Sequence, residues 1–125
     1  MCGLLALLGH MWPVYLGFRG GKGVATVGGI VFALNWMAAL IALGVWVLVF
    51  LPSRYVSLGS LVGALALPVA HHFTKQHFEP RVKGQWLVTV FLGLAAVLVI
   101  WRHKANLKRL LEGTEKKLGR KETAA

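Results

Sequence analysis

VATVGGIVFALNWMAALIALGVWVLVFL, residues 24–51, runs for 28 positions without a charged side chain. A hydrocarbon layer about 30 Å thick takes ~20 helical residues, with a working range near 17 to 25. The stretch is therefore long for one crossing and short for two. A single crossing would put Lys22 and Arg54 on opposite faces of a membrane; a turn near Asn35 and Trp36 would put them on the same face. Lys and Arg of short loops collect on the cytoplasmic side. A returning segment gathers Arg19, Lys22, Arg54 and the eight basic residues of the C-terminal stretch on one side, 11 of 14, with Lys75, Arg81 and Lys83 opposite; a single crossing divides them 9 to 5. Charge favours the return. Its cost is two short limbs, 24–35 and 37–51, of about 20 Å each.

The rest of the chain fits a lipid solvent. Of 125 residues 57% are hydrophobic and 14% charged, against roughly 45 to 50% and about 25% in a soluble domain. Eleven of the 18 charged residues lie from Arg102 onward. Residues 1–18, interrupted by His10 and Pro13, read as a helix end; without a basic residue before the apolar run or a small-residue site after it, a signal peptide is disfavoured. Residues 57–73 form a further helix in which Pro68 is tolerated as a kink. Residues 86–101 form another, with a tryptophan at each end where interfacial belts place them. Between these two, TKQHFEPRVKG (74–84) is the long polar connection. The expected fold is all-α, a polytopic transmembrane helical bundle over 1–101, followed by a basic cytoplasmic tail, 102–125, that begins as a helix extension.

Composition removes several chemistries. The net charge is +10, all four acids are Glu, and there is no Asp. Aspartyl-phosphate enzymes, Asp-based metal sites and the usual Ser-His-Asp triad are excluded. Cys2 is the lone cysteine, so no internal disulfide forms, and no Cys/His spacing suits zinc. His71, His72 and His77 have only Glu79 as a nearby acid and read as solvated loop histidines rather than a metal site. Strong basicity implies an anionic partner, a lipid head group or a phosphorylated small molecule; the apolar bulk argues against nucleic acid.

Three stretches could carry chemistry. In GHMWPVYLGFRGGKGVAT (9–26), Gly20, Gly21 and Gly23 around Lys22 allow backbone amides to approach an anion, while Lys22 and Arg19 add charge where a helix begins. The spacing is not that of a Walker A loop, and Gly23 stands where Ser or Thr would hold magnesium. The plain alternative is a basic turn between membrane helices, whose glycines His10 could help to shape. In SRYVSLGS (53–60), Ser57 and Ser60 share a helical face near Arg54; they could serve a phosphate or bond to the preceding turn. In HKANLKRLLEGTE (103–115), His103 and Asn106 share a face at the membrane surface, where a histidine could take a proton from a hydroxyl nucleophile. The alternative there is a basic tail that binds anionic lipid.

Taken together, GH..P.....RGGKGVAT, R.VSLGS and H..N..RLL.G.E resemble the PlsY family of bacterial glycerol-3-phosphate acyltransferases over about Gly9 to Glu115. The resemblance implies an enzyme of the cell's inner membrane with its site and C-terminus cytoplasmic. It would move an acyl group from acyl-phosphate to the sn-1 hydroxyl of glycerol 3-phosphate, giving lysophosphatidic acid and phosphate, with no cofactor or metal. It implies phosphate binding by Gly20, Gly21, Lys22 and Gly23, with Ser57 in the same site. Arg19, Arg54 and Ser60 are added as phosphate ligands from their positions. It places His103 and Asn106 on the catalytic surface, where Ser57 is counted with them as catalytic, and makes Glu115 more structural. Acyl-phosphate is already activated, so positioning by fixed cations could supply much of the effect. Members look like seven-helix proteins that begin with a further helix and an S-G-N-x-G-A-T-N loop, which this sequence does not contain. The expectation is a C-terminal portion of that fold with little or no activity alone. A non-catalytic membrane subunit that binds phosphate or anionic lipid is the alternative.

Overall fold

The computed structural model describes residues 2–78 and 84–119, without the side chains of 76–78. Arg81, Lys83 and Glu79, and the side chain of His77, lie outside the described residues. Helix α1 spans Cys2–Met11, α2 Val24–Leu34, α3 Trp36–Ser53, α4 Val56–Phe78, α5 Gln85–Arg102 and α6 Lys104–Leu111, with a single 3-10 turn at Val14–Leu16. There is no strand among the described residues. The protein is an all-helical membrane bundle in which α3, α4 and α5 are long and apolar enough to cross.

The uncharged run does turn, at Asn35, but into unequal limbs. At 1.5 Å per residue, α2 is about 16 Å long and α3 about 27 Å. Only α3 has the length of a span. Asn35 breaks the helix with φ −156° and ψ 84° and caps α3, its Oδ1 accepting from the Ala38 amide at 3.0 Å. At the other end α3 continues to Ser53 despite Pro52 and stops at Arg54, which is left-handed (φ 61°) and returns its N–H to the Phe50 carbonyl at 2.7 Å. Chain direction then reverses into α4.

Close packing of α3 on α4 rests on small residues, as membrane interfaces require where no water drives association. Ala38, Ala42, Ala64 and Ala70 are buried between them. Trp46 lies over Gly59 and Gly63, where a Cβ on Gly59 would come within 3.1 Å of the indole Nε1. Leu7, Met11, Val27, Val31, Leu67, Leu92 and Val99 complete the core. Large apolar side chains such as Leu48, Phe73, Trp86 and Val97 point outward, the distribution expected where lipid is the solvent.

Two further expectations change. Helix α4 runs past Phe73 to Phe78, so the first residues of the polar connection are helical and His71 is not a loop histidine. It is buried, 2% exposed, and its Nδ1 accepts from the Asn35 side-chain amide at 3.1 Å, while the same amide donates to Thr74 at 2.8 Å. Only His72 of that pair is exposed. The segment after α6 is packed against the bundle as far as Gly119. The Leu118 N–H bonds to the Arg54 carbonyl at 2.9 Å, and the Lys117 ammonium lies 5.2 Å from the Tyr55 ring. The chain from α6 thus folds back over the α3–α4 corner.

Candidate active site

Four segments distant in sequence meet at one end of the bundle. The end of α1 with the glycine loop, the start of α4, the α5–α6 junction and the returning segment enclose a cleft of about 440 Å³. Its lining includes His10, Lys22, Gly23, Ser57, Ser60, His103, Asn106, Glu115 and Lys116. Lys22, Ser57 and His103 therefore lie at the same end, as a returning 24–51 segment demands. Val24, Ala25, Val56 and Ser60 also line a second, apolar cavity of about 530 Å³ that runs between α2, α3 and α4 toward Phe32 and Leu67. A polar chamber and an apolar groove thus share one wall.

The glycine loop has a packing reason for each of its glycines. A Cβ on Gly20 would strike the His10 carbonyl and Pro13, one on Gly21 the His10 ring, and one on Gly23 the Met11 and Leu7 side chains. Gly23 also has φ +77°, which favours glycine as the residue before α2. The Gly21 amide donates to the His10 carbonyl at 3.2 Å, so it is not offered to an anion. The Gly20 and Gly21 carbonyls accept from Arg102, at 2.7 and 3.3 Å. Neither glycine lines the cleft; Lys22 and Gly23 do. The expected cradle of glycine amides is thereby narrowed to the Lys22–Gly23 corner.

His103 ends α5 and starts α6 with φ −94° and ψ 5°, its N–H shared between the Val99 and Ile100 carbonyls at 3.0 Å each. The imidazole is 1% exposed, and Nδ1 meets the Val99 carbonyl at 2.8 Å. A carbonyl oxygen only accepts, so Nδ1 carries the hydrogen and Nε2 keeps its lone pair. Burial, and then the positive charge of Lys22, hold the His103 pKa below its ordinary value against the opposing pulls of the Val99 carbonyl and Glu115. The result is a neutral base at the cleft wall.

Glu115 gathers the donors around it. Ser57 Oγ donates to Oε1 at 2.5 Å, Asn106 Nδ2 to Oε1 at 2.7 Å, and Arg109 Nε to Oε2 at 2.7 Å. Burial works to raise this carboxyl, but the three donors outweigh it and hold its pKa down at about 2. Its place in the network is that of a strut which joins α4, α6 and the returning segment. Ser60 bonds to the Val56 carbonyl at 2.9 Å, the plain reading of a helix serine, and also receives the Trp46 indole N–H at 3.4 Å. Arg19 and Arg54 are exposed and neither lines the cleft.

Two contributors were not singled out as site residues by sequence reading: His10, which lines the cleft and anchors Gly21, and Arg102, which reaches back across 81 positions to the glycine loop. The only available signal was their adjacency to the two motifs. The model of the glycerol-3-phosphate acyltransferase family matches residues 1–113. The chain belongs to that family. The protein named glycerol-3-phosphate acyltransferase of Shouchella clausii is 46% identical over 121 residues, and that of Acaryochloris marina 44% identical over 125. The match takes in 97% and 100% of this chain but 57% and 52% of those relatives, so the chain spans about half their length. Two crystal structures of PlsY, described as an integral membrane glycerol 3-phosphate acyltransferase, superpose with TM-scores of 0.76 and 0.77 at 40% and 41% identity. One is the lysophosphatidic acid form and the other the glycerol 3-phosphate form; the chain covers 93% and 94% of its own length and 55% of theirs.

Proposed function

We propose that this acyltransferase moves an acyl group from acyl-phosphate to the sn-1 hydroxyl of glycerol 3-phosphate, forming lysophosphatidic acid and phosphate. The supporting observation is a cationic, histidine-bearing cleft that shares a wall with an apolar groove. One substrate of such a reaction is small and doubly anionic, and the other is an anion with a long apolar chain. Lys22 and the Gly23 corner hold phosphate; the groove between α2, α3 and α4 takes the acyl chain. The acceptor hydroxyl attacks the acyl carbonyl carbon, its proton passes to His103 Nε2 or to a donor phosphate oxygen, and the acyl C–O bond to the phosphate breaks, with the electron pair leaving on inorganic phosphate. No covalent enzyme intermediate is needed because the anhydride is already activated. Asn106 and Ser57, bonded to Glu115, set the wall that faces His103. The cleft end carries most of the described positive charge, so it faces the cytoplasm of a bacterial inner membrane.

The test is formation of lysophosphatidic acid from acyl-phosphate and glycerol 3-phosphate in liposomes, by the chain alone and with the N-terminal half of the Shouchella clausii relative supplied. Turnover that His103→Ala abolishes, while insertion is retained, supports the reading. Turnover in neither mixture overturns it, turnover indifferent to His103→Ala assigns the proton to the donor phosphate oxygen, and phosphate binding without turnover would leave a non-catalytic subunit.

A further inference from the structure

The backbone that carries Lys22 is held from outside the cleft. Arg102, the last residue of α5, donates from Nη2 to the Gly20 carbonyl at 2.7 Å and from Nε to the Gly21 carbonyl at 3.3 Å. Its guanidinium also lies 5.7 Å from the centre of the Trp12 ring, a placement that favours the planar cation and restrains its rotation. Arg102 does not line the cleft, whereas His103, the next residue, does. In a trans peptide the carbonyl and the following N–H point in opposite directions. The Gly20–Gly21 plane is thus fixed from both sides, by Arg102 at its carbonyl and by the His10 carbonyl at its amide. In the Gly21–Lys22 plane Arg102 holds the carbonyl, which turns the Lys22 N–H to the opposite side.

We propose that Arg102 is a positioning residue, which orients the Gly21–Lys22 peptide so that Lys22 meets a phosphate group and locks that backbone in register with His103. The proposal rests on the reading of the cleft as a phosphate site. It assigns the effect to the two-pronged bond and not to charge alone. A lysine keeps the cation but lacks the fork that spans two successive carbonyls. The neighbouring residue carries the base, so one side chain couples the anion's seat to the proton acceptor without touching either substrate.

Glycerol 3-phosphate is titrated into the purified chain in nanodiscs, with affinity read by calorimetry and the Lys22 amide followed by nitrogen-15 NMR. Arg102→Gln and Arg102→Lys are both expected to weaken binding by about tenfold, the scale of one lost bond to a charged group. They should also remove the ligand-induced shift of the Lys22 amide with helicity unchanged. In a Lys22→Met background, Arg102→Gln should add little, because its effect passes through Lys22. Wild-type affinity in Arg102→Lys overturns the proposal, since charge would then suffice; that variant also decides the matter should Arg102→Gln lose its helicity. Loss of binding in Lys22→Met with full binding in Arg102→Gln overturns the role of Arg102 and leaves the phosphate site standing. Wild-type binding in Lys22→Met, or none in the parent chain, overturns the phosphate reading and the proposal with it.

Discussion

His103 is bound on one side and open on the other, and that asymmetry has consequences for pH. With Nδ1–H committed to Val99, proton uptake can occur only at Nε2. Burial and Lys22 disfavour the imidazolium, so the base form persists as pH falls through the ordinary histidine range near 6.5. Acyl-transfer rate is expected to stay flat down to that range and to decline only below it; half-maximal rate above pH 7 would show that another group is the base. His103→Ala should lower turnover by about 10²- to 10⁴-fold, the usual worth of a general base. Glu115 makes a different prediction, on stability. Its carboxyl is held at about 2 against an ordinary value of 4.5, so its contribution is complete above pH 4.5 and is lost as pH falls toward 2. Glu115→Gln puts an amide where three donors converge and should cost roughly 2–3 kcal/mol at pH 7. Thermal unfolding in micelles should show that deficit shrinking steadily between pH 4.5 and pH 2; a deficit independent of pH would mean that the carboxylate charge does not hold the strut.

Glycines separate into those that close contacts demand and those that face open space. Gly21 lies against the His10 ring, whereas Gly93, in α5, has nothing within 4 Å of an added Cβ. Gly21→Ala should therefore displace the loop, cost about 1–3 kcal/mol by overpacking, and weaken glycerol 3-phosphate binding. Gly93→Ala should raise helix stability by up to ~1 kcal/mol with binding unchanged. The α2–α3 turn supplies another case. Asn35→Ala removes the α3 cap and strips His71 and Thr74 of a buried partner; hydrogen exchange at the Ala38 amide should accelerate, with a loss of about 2–4 kcal/mol. The turn itself was legible, because a 28-residue uncharged run between Lys22 and Arg54 has few ways to satisfy the distribution of charge. The end of α3 was not, since the helix continues through Pro52 to Ser53 and stops at a left-handed Arg54 whose carbonyl is held by the Leu118 N–H. His71 was misread for a related reason. It stands beside His72 at the end of an apolar run, where the polar connection begins, and its partner lies 36 positions away.

A site assembled from residues 10, 22, 57, 103 and 115 exists only if the helices return their ends to one face, and the motifs by themselves say nothing of direction. Lys22, Ser57, His103 and Asn106, singled out through the resemblance of three motifs taken together, line one cleft. Motif spacing could not show that the Gly20 and Gly21 carbonyls are engaged by Arg102, because contacts between peptide planes and a distant guanidinium leave no mark on periodicity. Alternation of crossings supplies a prediction that needs no activity. Helix α4 carries the chain away from the cleft over the length of a span, from Ser57 at one end to Lys75 five turns on, and α5 brings it back to His103. A 20-residue helical path is about 30 Å, the thickness of the hydrocarbon layer. In a Cys2→Ser background, which removes the exposed native thiol, cysteines placed at Lys22 and Lys117 should react with a membrane-impermeant maleimide only after the inner membrane is opened. One placed at Lys75 should react in spheroplasts with that membrane intact. The reverse pattern would turn the cleft away from the cytoplasm, where phosphorylated substrates could not reach it. Reaction of positions 22 and 75 from the same side would be worse for the architecture, since α4 would then fail to cross and the apolar groove beside it would lose its place in the bilayer.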